Sequence, residues 1–525
     1  MKNSPMPSSP AIKPTTISSA HTSELARRGL VVFVILAFIT LRVITSGPPT
    51  TFTESFAGAP ALGIQSERTN AIMASLGLVL LLGLLVLDRP LGFAFIISDM
   101  NGFGSFFDLG QWGMAGVFKF RDIEFLLLLA LGIFWSVSKT KGETSTRFGS
   151  WLRRVSVTIA VIAIVYTAAT SLVQPVTVTL RYSRQLYVWL LLLVVPQFIR
   201  NKNELGRVVK VFVGLAGLAV SLYIAQSMLP PQTVLRYSQQ QIFYGQVRVW
   251  GGSLSPVFAG GLALFAFQVQ KRTASWRLWT LCGLIILAVL SSLGRVSIVV
   301  FVASVVFFVL YNAWRQSHIY PILRFIFLIL LGLGIGYFLL SISGRLEPLA
   351  EVWGERLMEL EYEMGGGSGN FSSRIDMFRF LPIIVERNGG TFFNQVFGMG
   401  LRAFTPSQLF PMIFWGTISP PIWADNGLAG ILFSAGYVGL ILYALFIILM
   451  LNHLWTELQQ AHGRLTQACL LSAFAYFLFA PIYMLFSAHF LGSWDEALAI
   501  TMVLAIAERG ISFEKSSANS EGIRQ

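Results

Sequence analysis

Charge is what this sequence has least of. Asp, Glu, Lys and Arg make up 12% of its 525 residues, about half the usual share in soluble globular chains. So little polar surface cannot cover a water-soluble core when 54% of the residues are hydrophobic. A soluble enzyme, a disordered chain and a fibrous protein are excluded together, which leaves a polytopic membrane protein. Cysteine is nearly absent: Cys282 and Cys469 stand in separate apolar runs, which argues against a disulfide or a metal cluster. What is there in excess is basic charge, a net +13. In a soluble protein that balance would suggest nucleic acid; here topogenic loops and anionic lipid headgroups account for it, and no nucleic-acid partner is expected.

A helix needs about 20 apolar residues to cross a bilayer core. Runs of that kind are Gly29–Thr45, Asn70–Leu87, Ile123–Ser138, Val155–Leu172, Tyr182–Ile199, Val208–Leu229 and Ser253–Gln268. Further on come Leu278–Leu293, Val296–Asn312, Ile322–Ser341, Leu428–Leu451, Gln467–Phe486 and Leu491–Ala507. Residues 1–28, rich in Ser, Pro and Thr, read as a disordered tail. Arg27 and Arg28 before the first run fit a secretory signal or a retained signal-anchor, and the anchor agrees better with the charge topology.

Lys139, Lys141, Arg147, Arg153 and Arg154 mark a cytoplasmic loop, as do Arg200, Lys202, Arg207 and Lys210, and Lys271, Arg272 and Arg277. Parity then requires one more crossing, and the weakly apolar Leu91–Phe107, with Asp99 inside it, supplies it. The result is about 14 spans with both termini inside. In short loops 23 basic residues fall inside and 8 outside. The expected architecture is an all-α polytopic membrane protein with a disordered cytoplasmic tail (1–28), an N-terminal transmembrane bundle (29–341), a large periplasmic loop (342–427), C-terminal transmembrane helices (428–507) and a cytoplasmic tail (508–525).

A long loop without structure of its own is uncommon, and this one is organised. Glu347, Glu351, Glu355, Glu359 and Glu363 recur every fourth residue, with Trp353, Leu357, Leu360 and Met364 on another side. That pattern predicts an amphipathic helix whose carboxylate stripe is a solvated face before it is a metal or catalytic stripe. A Gly365–Gly369 joint follows, then Ser372 and Ser373 capping a second helix from Arg374 to about Arg387.

Five pieces then stand in order: Arg248 in GQVRVWGG, Arg295 in LSSLGRVSIVV, Ser373-Arg374 with Phe378, Phe397–Phe404 (FGMGLRAF), and Asp425-Asn426-Gly427-Leu428 followed by Ala435–Leu440 (AGYVGL). Over roughly Gly245 to Leu445 this series resembles the O-antigen ligase and polymerase superfamily of bacterial envelope proteins. It departs from that family where Gly294 precedes Arg295 and Val296 follows it, and where Asp425 stands in place of a histidine ahead of Asn426.

The resemblance implies glycosyl transfer at the periplasmic face of the bacterial inner membrane from an undecaprenyl-diphosphate-linked glycan, with no metal or cofactor. Membrane lipids and a chain-length-regulating co-polymerase would be its further partners. Arginine forks suit a diphosphate leaving group, so Arg295 and Arg248 are expected to hold the diphosphate, with Arg374, Arg402 and Asn426 assisting in binding. Arg295 is the most telling, because two apolar runs meet there with almost no loop. Asp425 reads equally as a helix cap and as the base for the acceptor hydroxyl. The missing histidine favours a repeat-unit polymerase over a ligase; a lipid-linked-sugar flippase and a non-catalytic assembly subunit are the other readings.

Overall fold

The structure is a computed structural model. It describes residues 18–45, 67–101, 113–114, 118–137, 146–172, 176–228, 240–243, 246–249, 276–291, 295–316, 390–400, 427–486 and 494–522, with scattered positions in 261–267 and 323–386. Helices dominate. In chain order they are α1 (Ser18–Thr45), α2 (Glu67–Leu87), α3 (Arg89–Met100), α4 (Phe120–Val137), α5 (Arg147–Ser171), α6 (Val176–Tyr187), α7 (Leu191–Phe198) and α8 (Lys202–Met228). Then follow α9 (Trp276–Ser291), α10 (Arg295–Gln316), α11 (Phe392–Phe397), α12 (Gly427–Gln460), α13 (Arg464–Phe486) and α14 (Trp494–Gly522). Two short antiparallel hairpins join them: β1 (Gly113–Met114) with β2 (Phe118–Lys119), and β3 (Gln240–Phe243) with β4 (Gln246–Val249).

Among the described residues four segments are long and apolar enough to cross a membrane, namely α5, the Ile298–Arg315 part of α10, α12, and the Arg464–Leu485 part of α13. This is the architecture of a helical membrane protein. Side chains such as Val161, Ile164 and Val165 on α5 and Ile441 and Leu445 on α12 are exposed, as a lipid-facing surface requires, since lipid tails are as apolar as the side chains themselves.

The core is built around α14. From Glu496 to Ile511 its residues are buried on every side, the mark of a helix enclosed by others. It packs against α13, α7, α6 and α8. The helix runs on to Gly522, past the expected end of the last span at Ala507. Likewise α1 begins at Ser18, ahead of the expected Gly29, its polar extension held by an exposed Glu24–Arg28 pair one turn apart.

Two expectations are modified. The stretch expected to span from Leu91 to Phe107 is a helix only from Arg89 to Met100, with a turn at Asn101, and 102–107 lie outside the described residues. At 1.5 Å per residue it is about 18 Å long, shorter than a bilayer core. It is buried nearly all round, against α2, α4 and α8. The run expected as one helix over Tyr182–Ile199 is interrupted by a 3-10 turn at Val188–Leu190. There the buried Ser156 hydroxyl donates to the Trp189 carbonyl at 2.7 Å, which supplies a partner where the ladder changes pitch.

One end of the bundle is rich in basic residues and knotted by side-chain contacts. Asp88 accepts from the Leu91 amide as the cap of α3 and also pairs with Arg207 of α8. Arg89 reaches Glu204 at 3.2 Å, and burial lowers its pKa, with Arg200 adding to the fall and Glu204 opposing it. Arg315 of α10 donates to the Leu458 and Ala461 carbonyls at the C-terminus of α12, where a cation is favoured. Glu514 accepts from the His462 amide and the Thr466 hydroxyl. We expect Asp88→Ala, which removes both cap and ion pair, to cost about 1–2 kcal/mol. Thermal unfolding of purified protein should show a lower Tm for Asp88→Ala than for Asp88→Asn, which keeps the cap.

Candidate functional site

The loop motif Phe397–Gly400 and the helix motif Ala435–Gly439 turn out to be each other's partners. Thr391 and Asn394 cap α11 reciprocally, and Gly398, at φ 83°, ends it by donating to the Asn394 carbonyl at 2.7 Å. The chain then turns so that the Met399 amide donates to the Phe433 carbonyl at 2.8 Å and the Gly400 amide to the Ser434 carbonyl at 2.9 Å. Both acceptors belong to α12. They are available because α12 is broken at Gly436, which adopts φ 65°, ψ −165°. In an uninterrupted helix those carbonyls would accept from residues 437 and 438.

The glycines are required by this approach. A Cβ on Gly398 would overlap the Ser434 carbonyl, one on Gly436 would overlap the Val396 carbonyl, and each φ lies in the left-handed region. Gly400, also at φ 83°, lies against the Thr170 side chain of α5. On the same helix the Tyr166 hydroxyl donates to the Phe397 carbonyl at 3.4 Å. The turn is therefore held between α5 and α12, and Thr170, Tyr166, Phe433 and Ser434 are contacts that no one-dimensional motif announced.

Of the expected site residues, Arg295 is the first residue of α10, and α9 ends at Ser291, so the two helices do meet across a very short connection. No acidic residue stands in the first turn of α10. The positive end of the helix dipole there favours an anion. Arg248 lies on β4, opposite Gln241 of β3, in a hairpin that packs against α8; the sequence reading had no strand there. Arg374, Arg402, Asp425 and Asn426 lie outside the described residues. So do Arg356, Arg379 and His489, and Glu359 and Glu363 of the carboxylate stripe. Glu347, Glu351 and Glu355 of that stripe are helical and exposed.

A second group was missed altogether. At the end of the bundle opposite the basic one, the first turn of α4 carries Arg121, Asp122 and the fully buried Glu124. Asp122 faces Arg184 of α6 at 3.9 Å. Arg121 lies 5.6 Å from the ring of Trp494 at the start of α14, whose indole N–H donates to the Met100 carbonyl at 3.2 Å. Glu496, two residues further along α14, is buried and interacts electrostatically with Tyr476 of α13. Ionisable groups buried in a membrane bundle are rare and costly unless paired. Read singly along the chain, they look like ordinary helix-start acids and loop cations. Among the described residues, no group of three or more His, Cys, Asp or Glu side chains is arranged to hold a metal ion.

At the basic end His453 of α12 packs against Trp151 of α5 in a tilted pair, with ring centroids 4.1 Å apart. Burial lowers its pKa, and the neighbouring Arg147 and Arg154 lower it further. One turn on, burial raises the Glu457 carboxyl, with Lys515 and Arg147 pulling the other way. These groups lie beyond the apolar part of α12, which ends at Leu451.

Gly398→Ala and Gly436→Ala each combine left-handed strain with a backbone overlap, so we expect each to cost about 2–5 kcal/mol. Gly283→Ala, with open space around it, should leave the thermal stability of the detergent-purified protein unchanged. Comparison of the chain with protein-family models and with curated proteins found no match.

Proposed function

We propose that this protein is an integral-membrane glycosyltransferase that polymerises polyprenyl-diphosphate-linked oligosaccharide repeat units at the periplasmic face of the bacterial inner membrane. The observation that carries the reading is the backbone clamp between the Gly398–Gly400 turn and the break in α12. It ties together two of the five ordered motifs that underlie the resemblance. In the sequence Arg402 follows Gly400 by two positions, and Asp425 precedes Gly427, the start of α12, by two.

The two-sided arrangement with about 14 spans and both termini inside draws support from which helix ends meet. Asp88 with Arg207, Arg315 with Ala461, and Glu514 with His462 join ends that the distribution of Lys and Arg assigns to the cytoplasm. Met100 with Trp494, Asp122 with Arg184, and Gly400 with Ser434 join ends assigned to the other face.

In this mechanism the acceptor hydroxyl attacks the anomeric carbon of the donor glycan as the bond to the diphosphate oxygen breaks. The hydroxyl proton passes to Asp425, and polyprenyl diphosphate leaves. Negative charge grows on the leaving group, and preorganised cations there lower the barrier most. Arg295 opens α10, whose first turn carries no acidic residue, and in this reading its guanidinium adds to the positive end of that helix. Arg248, Arg374 and Arg402 add guanidinium donors, and Asn426 orients the acceptor. Transfer of finished glycan to another acceptor uses the same parts.

One observation favours a second reading, a flippase of the same lipids: α12 is a membrane-length helix interrupted by a non-helical residue, a hallmark of transporters. Against it, the carbonyls freed by the break accept from Met399 and Gly400, which leaves fewer of them to face a substrate.

The test is polymer formation by purified protein in liposomes supplied with lipid-linked repeats. Arg295→Ala and Asp425→Asn should each reduce chain elongation about a hundredfold or more, at unchanged membrane abundance. Arg295→Lys should not restore it, because a point charge does not replace a planar fork. Full-length polymer from both variants would overturn the mechanism, and translocation without bond formation would favour the flippase.

A further inference from the structure

The segment Thr391–Gly400 does not rest on top of the bundle. Two helices measure its depth independently. On α5 the apolar run ends at Leu172, and Tyr166, whose hydroxyl meets the Phe397 carbonyl, lies six residues earlier, about 9 Å along the axis. On α12 the apolar run starts at Leu428, and Phe433 and Ser434, which receive the Met399 and Gly400 amides, lie about 8–9 Å in. Gly400, whose amide meets Ser434, also lies against Thr170, about 3 Å below the same edge of α5, so the two walls bracket the turn between about 3 and 9 Å. Both walls therefore place the turn within the apolar layer, and the backbone obeys the rule for that depth. Irregular backbone there must be satisfied by protein, and Gly398, Met399 and Gly400 each donate to a carbonyl.

At that depth α11 presents aromatic side chains outward. Phe392 is 78% exposed, Phe393 64% and Phe397 45%. Phe393 and Phe397, four residues apart, pack as a tilted pair with centroids 4.6 Å apart. Leu172 and Val165 of α5 and Tyr437 and Ile441 of α12, the helices to which the turn is attached, are exposed as well. No charged residue occurs between Thr391 and Gly400. Three exposed phenylalanines at that depth are not left to water.

We propose that Thr391–Gly400 is a re-entrant anchor whose Phe392, Phe393 and Phe397 insert among the acyl chains of bulk phospholipid. The anchor fixes the end of the long loop in the bilayer next to the broken helix. It depends on the membrane and on the clamp, and it stands whether or not the protein is a glycosyltransferase.

The test uses the full chain in phosphatidylcholine–phosphatidylglycerol liposomes with a nitroxide label on Phe393→Cys. Cys282 and Cys469 are buried and serve as an unlabelled background. Relaxation of the label by oxygen, which concentrates in acyl chains, is compared with relaxation by a water-soluble nickel chelate. A label on the exposed Glu351→Cys serves as the aqueous reference. The expected result is strong oxygen relaxation with loss of nickel relaxation at 393, and the reverse at 351. Nickel access at 393 equal to that at 351 would overturn the proposal. So would a label shielded from both agents, which would mean protein covers the patch. Oxygen access that drops when polyprenyl phosphate is added would overturn the bulk-lipid assignment and make the patch a prenyl-chain site. Phe392→Cys, labelled in the same way, guards against a local distortion at 393.

Discussion

A backbone carbonyl at membrane depth has no water to turn to, so a helix can be broken inside an apolar run only if something else donates to the carbonyls it releases. Gly436 breaks α12, and the amides of Met399 and Gly400 are the donors that replace the missing turn. That one exchange turns a long loop into part of the bundle. It demands glycine at 398 and 436, where any side chain would strike backbone. It also sets the depth of α11.

The rest of the bundle follows the same economy of charge. Its central helix, α14, is buried along most of its length and connects the two ends, meeting Met100 near its start and Thr466 near its finish. At the basic end, carboxylates and arginines close caps and ion pairs between helices that are distant in sequence, such as Asp88 with Arg207. At the other end Arg121, Asp122, Glu124, Arg184 and Glu496 gather where α4, α6 and α14 converge. The proposed chemistry draws on that second end, where α10 begins with Arg295 and a helix N-terminus favours an anion.

Much of the fold was legible because an apolar run of bilayer length has few alternatives to a helix. The expected Asn70–Leu87, Ile123–Ser138 and Leu278–Leu293 differ from the observed Glu67–Leu87, Phe120–Val137 and Trp276–Ser291 by a few residues at the ends. Polar extensions such as Ser18–Arg28 were missed because hydropathy says nothing about a helix that continues into water. The 3-10 turn at Val188–Leu190 was missed because its cause, the Ser156 hydroxyl on another helix, is 33 residues away. At the candidate site the glycine motifs were visible as spacing, but not as two halves of one contact.

Composition alone determined that this chain needs a membrane, since 12% charge cannot cover a water-soluble core. Run lengths determined where helices form, and the distribution of Lys and Arg gave a two-sided arrangement consistent with which helix ends meet. Only the tertiary structure decided that α12 is broken and what repairs it. A left-handed glycine and its two borrowed hydrogen bonds are properties of two segments in contact, and hydropathy along one of them carries no record of the other.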